Sequence, residues 1–189
     1  MKAIIFDCYG VLVGKGFWAT YRMFGGDVQK DDAFITQWLN ELDLNKISYD
    51  KFCEIMAERL NTTASEFGSV WSQDEVANED MFDFIRTELV SKYKLAIVSN
   101  ATSKSVRKHI DADKMALFDE VFISGEVGLV KPDPKLFNLA LSKLGVKAEE
   151  AVFVDDHQKY VDGAKAVGIN AILFNSIDDF KQQLAKLTK

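Results

Sequence analysis

The stretch Ala3-Ile4-Ile5-Phe6-Asp7, near the start of the chain, joins an apolar run directly to a carboxylate. A run without polar alternation is typical of a strand that is covered on both faces, as in a parallel sheet. Four further runs of this kind occur along the chain, at residues 95–98, 121–123, 151–154 and 171–174. The sequence therefore predicts a parallel sheet of five strands.

Helical patterns separate the predicted strands. They cover residues 79–93, 103–110, 134–144, 159–167 and 177–187. Strands that alternate with helices indicate right-handed crossovers and an α/β sheet with helices on both faces. We therefore predict a doubly wound α/β fold.

Residues 15–78 do not follow this alternation. They contain no buried strand pattern, and amphipathic helices are predicted at 17–24, 32–44, 49–60 and 65–71. The three tryptophans of the chain all lie here, and aromatic residues at helical spacing usually form a core. We predict a small helical domain, residues 15–78, inserted into a core formed by residues 1–14 and 79–189.

Polar residues mark the starts of the inserted helices. Asp31 or Asp32 and Ser48 are placed as N-caps. Thr63 is followed three residues later by Glu66, which is the spacing of a capping box. These positions predict where the second, third and fourth inserted helices begin.

Composition limits the class of function. The chain has 189 residues, of which 48% are hydrophobic and 28% charged, and its net charge is −6. An acidic chain disfavours binding to a nucleic-acid backbone. No apolar stretch approaches the roughly 20 residues of a membrane span. The run at residues 3–6 is too short for a signal core, and two cysteines fit a reducing compartment. We expect a cytoplasmic protein that contacts neither nucleic acid nor membrane; no pattern indicates an oligomeric state.

Polar residues follow the predicted strands at the point where each strand ends. Asp7 follows the first strand, Ser99 and Asn100 the second, and Asp155-Asp156 the fourth, while Lys131 lies shortly after the third. Ligands of open α/β sheets bind beyond the carboxyl ends of the strands. Because clustered carboxylates repel one another, they favour a bound cation, and hard oxygen ligands suit Mg²⁺. The pattern predicts a magnesium-dependent site.

Each residue alone also has a structural interpretation. Asp7 could form a turn, Ser99-Asn100 could cap the next helix, and Lys131 could be a surface charge. We interpret His157 as an accessory or capping residue rather than a ligand. The ordered set is less expected by chance than any one of its members.

The set resembles the haloacid dehalogenase superfamily. The resemblance rests on four motifs in order and on a trailing segment, residues 163–168. The motifs are Phe6-Asp7-Cys8-Tyr9-Gly10-Val11-Leu12, Ser99-Asn100, Lys131-Pro132-Asp133-Pro134 and Phe153-Val154-Asp155-Asp156. The resemblance implies a Rossmann-like core with a helical cap inserted between the first and second motifs. It also implies an aspartate nucleophile, used mostly by Mg²⁺-dependent phosphatases and by a smaller branch of dehalogenases.

The resemblance assigns a role to each motif residue. Asp7 would attack a small phosphorylated substrate and form a covalent intermediate. Ser99 and Lys131 would hold the transferring group and offset its charge, with Asn100 beside them as a substrate-binding residue. Pro132 would fix the chain after Lys131.

The implied metal site uses the same edge of the sheet. Asp156 would bind Mg²⁺ together with Asp7 and the carbonyl oxygen of Tyr9. Asp155 would support the metal ligands.

Tyr9 departs from the phosphatase pattern, which has a second Asp at this position as general acid and base. A phenol with a pKa of about 10 donates a proton but is a poor base at neutral pH. Loss of a general acid–base typically costs about 10²- to 10⁴-fold in rate. The sequence therefore weakens the phosphatase hypothesis without excluding it.

Tyr at this position resembles the 2-haloacid dehalogenase branch, because expulsion of a halide needs no proton. That branch has small neutral residues where this chain has Asp155-Asp156, Tyr where it has Phe137, and Thr where it has Val11. Arg22 is only a candidate for the halide-binding arginine. Three hypotheses stay open: a magnesium-dependent phosphatase, which we favour; a dehalogenase-like carbon-centred hydrolase; and a protein of this fold that binds without turnover.

Overall fold

The computed structural model describes residues 1–14, 16–73 and 75–188. The predicted domain boundary at Lys15 and the chain end at Lys189 lie outside the described residues. Within these ranges, no helix is both long enough and apolar enough to cross a membrane.

The core contains a parallel sheet of five strands in the order β3-β2-β1-β4-β5, which confirms the predicted fold class. The first strand lies in the middle, with Phe6 opposite Ile97 on one side and Val154 on the other. Their carboxyl ends therefore meet at one edge of the sheet. The strands are β1 Ala3–Phe6, β2 Lys94–Ser99, β3 Glu120–Ile123, β4 Ala151–Asp155 and β5 Asn170–Leu173.

The segment between β1 and β2 begins with four helices, as predicted. They are α1 Gly16–Met23, α2 Asp32–Asp43, α3 Tyr49–Leu60 and α4 Ala64–Gln73. Their buried aromatic and aliphatic side chains form a hydrophobic cluster of their own, with members only from residues 17–71. The predicted aromatic core is confirmed for Trp71, whereas Trp18 and Trp38 are partly buried at its edge.

Two of the three predicted helix starts have the expected capping bonds. The Ser48 hydroxyl accepts a hydrogen bond from the Lys51 amide at 3.1 Å. Thr63 and Glu66 form the reciprocal bonds of a capping box at 3.2 and 3.3 Å. Asp31 stands at the predicted N-cap position of α2, but its carboxylate makes no capping bond, because it accepts from the Tyr21 hydroxyl at 2.8 Å and from Arg59.

The remaining helices cover the sheet. They are α5 Glu79–Phe84, α6 Ser103–His109, α7 Ala112–Met115, α8 Ser124–Val127, α9 Pro134–Leu144, α10 Gln158–Ala166 and α11 Ile177–Leu187. The predicted helix at 79–93 is divided, because α5 continues as a π-helical segment, Ile85–Leu89, and ends before β2. Two buried clusters lie on opposite faces, one containing Ile4 and the other Ile5. The alternating side chains of one strand thus reach both helical layers.

The chain leaves and re-enters the core side by side. Val13 and Ala77 form an isolated antiparallel bridge. The Gly14 amide donates to the Val76 carbonyl and the Asn78 amide to the Leu12 carbonyl, both at 2.9 Å. Residues 16–73 are therefore joined to the sheet through one narrow connection.

Candidate active site

Three carboxylates meet at the carboxyl edge of the sheet. Asp7 follows β1, Asp155 ends β4, and Asp156 comes next; one oxygen of each lies within 4.8 Å of the others. Asp7 and Asp155 are buried and Asp156 is half-buried. Burial raises the pKa of Asp7 well above its ordinary value, and the charges of Asp155 and Asp156 raise it further. The cluster is therefore short of positive charge.

Lys131 lies between two of these carboxylates and is almost completely buried. Its Nζ is 2.7 Å from Asp7 Oδ1 and 2.7 Å from Asp155 Oδ2. Burial alone would lower the pKa of Lys131, but the two carboxylates outweigh it and raise the pKa above its ordinary value. Lys131 is therefore a fixed cation, but one ammonium does not balance three carboxylates.

Asn100 holds the backbone of Lys131 from both sides. Its side-chain oxygen accepts from the Lys131 amide at 2.7 Å, and its side-chain nitrogen donates to the Lys131 carbonyl at 3.1 Å. The Lys131–Pro132 peptide bond is cis. The alternative that Ser99-Asn100 caps the next helix is wrong, because Thr102 accepts from the Ser105 amide there.

The residues around the cluster fit a hard divalent cation. Both oxygens of Asp155 are engaged, one by Lys131 and the other by the His157 amide at 2.8 Å. Asp7 and Asp156 line the cavity beside the cluster, whereas Asp155 does not, so these two are the carboxylates best placed to take a metal. Gly10 has φ +95°, and a Cβ there would lie 2.4 Å from the carboxyl carbon of Asp156. Only glycine allows the loop after β1 to approach Asp156 this closely. The carboxylate oxygens of Asp7 and Asp156 are hard donors, which suit Mg²⁺.

A cavity of about 660 Å³ adjoins the cluster and separates α1–α4 from the core. Asp7, Asn100, Lys131 and Asp156 line its floor, and aromatic and aliphatic residues of α1–α4 line its roof. His157 also lines it, with its ring centroid 5.3 Å from that of Trp18. His157 stands at the N-cap position of α10, as interpreted, although its side chain makes no capping bond there.

Tyr9 belongs to a hydrogen-bonded group on the cavity wall. Its hydroxyl contacts the Ser105 hydroxyl and lies 3.3 Å from His109 Nδ1, and His109 Nε2 lies 3.6 Å from Glu75 Oε2. Burial raises the pKa of Tyr9 well above its ordinary value, raises that of Glu75 to about 7, and lowers that of His109. The surroundings of Tyr9, His109 and Glu75 therefore favour the uncharged forms of these side chains, so Tyr9 is poorly suited to act as a general base.

Asp43, the last residue of α2, lies at the closest approach of the helical segment to the core. Its carbonyl accepts from the Ser124 hydroxyl at 3.0 Å, and the Asn45 side-chain nitrogen donates to the Gly125 carbonyl at 2.9 Å. A Cβ on Gly125 would meet that nitrogen at 2.5 Å. The Asp43 carboxyl lines the cavity; burial raises its pKa to about 7, although the charge of Lys131 lowers it.

Three of the candidate residues, Ser99, Arg22 and Asp155, do not line the cavity. Ser99 is completely buried at the end of β2, so its contact with a ligand stays a prediction. Arg22 is exposed and donates to the Trp18 carbonyl at 3.3 Å; among the described residues that line the cavity there is no arginine. Conversely, sequence reasoning missed Asp43, Glu75 and His109, which no motif marks.

Comparison with known proteins agrees with this geometry. A family profile described as haloacid dehalogenase-like hydrolase matches residues 77–174, just over half of the chain. The chain belongs to the haloacid dehalogenase-like hydrolase family. Its relatives in the family include both phosphatases and haloacid dehalogenases.

Three similar proteins illustrate the range of the family. A phosphoserine phosphatase from Thermus thermophilus is 45% identical over 80 residues, 41% of this chain and 32% of that protein. (S)-2-haloacid dehalogenase 1 from a Pseudomonas species is 24% identical over 94% of this chain and 86% of that protein. A structure from Bacteroides thetaiotaomicron, a HAD family enzyme in complex with magnesium and inorganic phosphate, is 19% identical with a TM-score of 0.71, covering 97% of this chain and 98% of the other. This chain thus spans about a third of the phosphatase but most of the other two.

Proposed function

We propose that this protein is a Mg²⁺-dependent phosphatase that acts on a small phosphorylated metabolite through an aspartyl-phosphate intermediate on Asp7. The observation that carries the proposal is the carboxylate cluster of Asp7, Asp155 and Asp156, which opens on a cavity and is contacted by the ammonium of Lys131. A cluster with excess negative charge favours a divalent cation, and a cation with an ammonium favours a phosphate.

The nucleophile is held in place by its neighbours. The Cys8 amide donates to Asp7 Oδ1 at 2.6 Å, and Lys131 Nζ contacts the same oxygen. The attack on phosphorus therefore uses Oδ2. Hydrogen bonds at one oxygen fix the orientation of the carboxylate, which lowers the entropic cost of reaching the transition state.

Mg²⁺ bound by Asp7, Asp156 and the Tyr9 carbonyl oxygen would offset the negative charge of the carboxylates and of the phosphate. Asp155 supports the site by orienting Lys131, which offsets charge on the transferring group. Asn100 fixes Lys131 and faces the cavity, so both would serve substrate binding, and Ser99 would contact the phosphate from the end of β2.

We propose further that residues 15–78 are a cap domain that closes over the substrate. The separate hydrophobic cluster of α1–α4 and the narrow connection at Val13 and Ala77 support this division. The aromatic roof of the cavity would exclude water from the reaction and select the organic part of the substrate.

Hydrolysis of 4-nitrophenyl phosphate, followed with increasing Mg²⁺ concentration, tests the proposal. We expect turnover that requires Mg²⁺ and that Asp7→Asn abolishes. A matched control is Asp32→Asn, which changes an exposed carboxylate outside the cavity lining and should leave turnover in place. Turnover without Mg²⁺, or none across a panel of phosphate esters, would contradict the proposal.

A second candidate, dehalogenation of a short 2-haloacid, is favoured by Tyr9 and by the match to a haloacid dehalogenase over most of the chain. The carboxylate of Asp156 and the exposed position of Arg22 argue against it, since the substrate is itself an anion. Chloride release from 2-chloropropionate without Mg²⁺ would support this candidate. If neither substrate class gave multiple turnovers dependent on Asp7, a binding role would be favoured.

A further inference from the structure

The phosphatase chemistry needs a proton donor for the leaving group, and Tyr9 is poorly suited to this role. Its hydroxyl is engaged by Ser105 and His109, and an ordinary phenol has a pKa of about 10. A group that titrates far from neutrality is an inefficient acid–base catalyst at pH 7. The acid therefore has to come from elsewhere in the cavity.

We propose that Asp43, at the end of α2, is the catalytic acid and base of this site and is supplied by the cap instead of by the loop after β1. The inference rests on the proposed phosphatase function. Asp43 lines the same cavity as Asp7, and two hydrogen bonds, from Ser124 and from Asn45, fix the end of α2 against the core.

The surroundings of Asp43 suit a proton carrier. Asp43 shares the lining of the cavity with other titratable groups, among them Lys131 from the loop before α9, Tyr9 from the loop after β1 and Tyr160 from α10. Burial raises the pKa of Asp43 to about 7, while Lys131 opposes this rise. Both protonation states are then populated near neutral pH, which is the condition for efficient acid–base catalysis.

Other titratable groups of the cavity are less well placed. Glu75 and His109 face each other behind Tyr9. Asp50 is exposed at the cavity wall. Asp43 combines burial, a fixed backbone and the electrostatic influence of Lys131, whose Nζ touches the nucleophile.

The proposed steps balance in atoms and protons. First, Asp7 Oδ2 bonds to phosphorus as the bond to the leaving oxygen breaks, and that oxygen takes the proton of Asp43. Then the Asp43 carboxylate takes a proton from water as the water oxygen bonds to phosphorus and the bond to Asp7 breaks. Phosphate leaves, and both side chains return to their starting states.

The test compares Asp43→Asn with wild type on an alkyl phosphate, glycerol phosphate, and on 4-nitrophenyl phosphate, whose leaving group needs no proton. We expect kcat/KM for the alkyl ester to fall by about 10²- to 10⁴-fold, the usual contribution of an acid–base group. For the aryl ester kcat/KM should change much less, but a burst of one nitrophenol per enzyme should appear because hydrolysis of the intermediate has lost its base. Asp32→Asn, at an exposed position of the same helix that does not line the cavity, is the matched control and should show neither effect.

A second variant separates the proposed role from a folding defect. Tyr9→Asp introduced into Asp43→Asn should restore turnover of the alkyl ester, because it supplies a carboxyl on the opposite side of the cavity. Equal losses on the two esters without a burst, or no rescue by Tyr9→Asp, would overturn the role of Asp43 while leaving the phosphatase proposal in place. If wild type hydrolyses neither ester, the phosphatase proposal fails and the role of Asp43 fails with it.

Discussion

The carboxyl edge of the sheet and the roof of the cavity are built differently. At the sheet edge, neighbouring groups hold each charged group: Lys131 contacts two carboxylates, and Asn100 binds its backbone twice. The helical segment presents aromatic, aliphatic and uncharged polar side chains to the cavity with few charged ones, and it is docked near Asp43 by two hydrogen bonds. In the proposed function, the sheet edge would therefore fix the reactive groups, and the roof would control access to them.

The largest expected effect comes from Lys131→Met, which removes the cation of the sheet edge. Asp7 and Asp155 would be left buried without it, and breaking a buried ion pair costs about 3–5 kcal/mol. Urea denaturation at pH 7 without Mg²⁺ should show this loss, and added Mg²⁺ should reduce it. Lys135→Met, at an exposed position, is the control; equal losses in both variants would mean that Lys131 does not balance the cluster.

Gly10→Ala tests the close approach of the loop after β1 to Asp156. A Cβ there would overlap the carboxyl group, so Asp156 has to move and Mg²⁺ affinity should fall by about 10- to 100-fold. Calorimetric titration with Mg²⁺ measures the change. Gly25→Ala is a matched control, because Gly25 also has a positive φ, +83°, and a Cβ added there would have no atom within 4 Å. A similar loss in both variants would point to backbone strain in place of the metal site.

Gly125→Ala acts on the other region, the contact between α2 and the core. Its Cβ would meet the side chain of Asn45 at 2.5 Å and the Asp43 carbonyl at 3.1 Å, which pushes the cap away. We expect KM to rise roughly tenfold, or about 1.4 kcal/mol, with Mg²⁺ affinity unchanged. If Gly125→Ala lowered Mg²⁺ affinity as well, the position of the helical segment and the geometry of the metal site would be coupled.

The smallest effect is expected inside the helical segment, at Asp31. Hydrogen bonds from Arg59 and Tyr21 lower the pKa of Asp31, so its ionised form stabilises the fold. This stability is present above the unfolded pKa of about 3.9 and is lost as the pH falls through the lower, folded value. Asp31→Asn should therefore be less stable than wild type at pH 7 in urea denaturation, and the difference should shrink in acid. A difference that is independent of pH, or an equal one in Asp32→Asn, would contradict the ion pair.

The sheet and its edge could be predicted because their signals are local. Uninterrupted apolar runs such as residues 3–6 indicate buried strands, and a polar residue at the end of such a run must lie at the sheet edge. The capping residue Ser48 is an equally local signal, which explains the accurate start of the helix Tyr49–Leu60.

The rest depends on contacts between distant parts of the chain. Asp31 looks like a capping residue in its own segment, but Arg59, 28 residues later, takes its carboxylate. Asp43 and His109 stand on amphipathic helices where a polar residue normally faces solvent, and only tertiary docking turns them toward a cavity. The hydrogen bonds between Asn100 and the backbone of Lys131 likewise join residues that are 31 positions apart in the sequence.

The paired crossing at Val13 and Ala77 has a consequence for timing. The chain passes between the two regions beside one bridge, so a relative movement of the regions would be a rotation about that bridge. Such a rotation would separate Asp43 from Asp7 and break the contacts of Asp43 with Ser124 and of Asn45 with Gly125. Asp43 and Asp7 would then be close to each other only while the substrate is enclosed. If the helical segment opened before the aspartyl-phosphate on Asp7 was hydrolysed, hydrolysis could not proceed until the segment closed again and Asp43 could activate water.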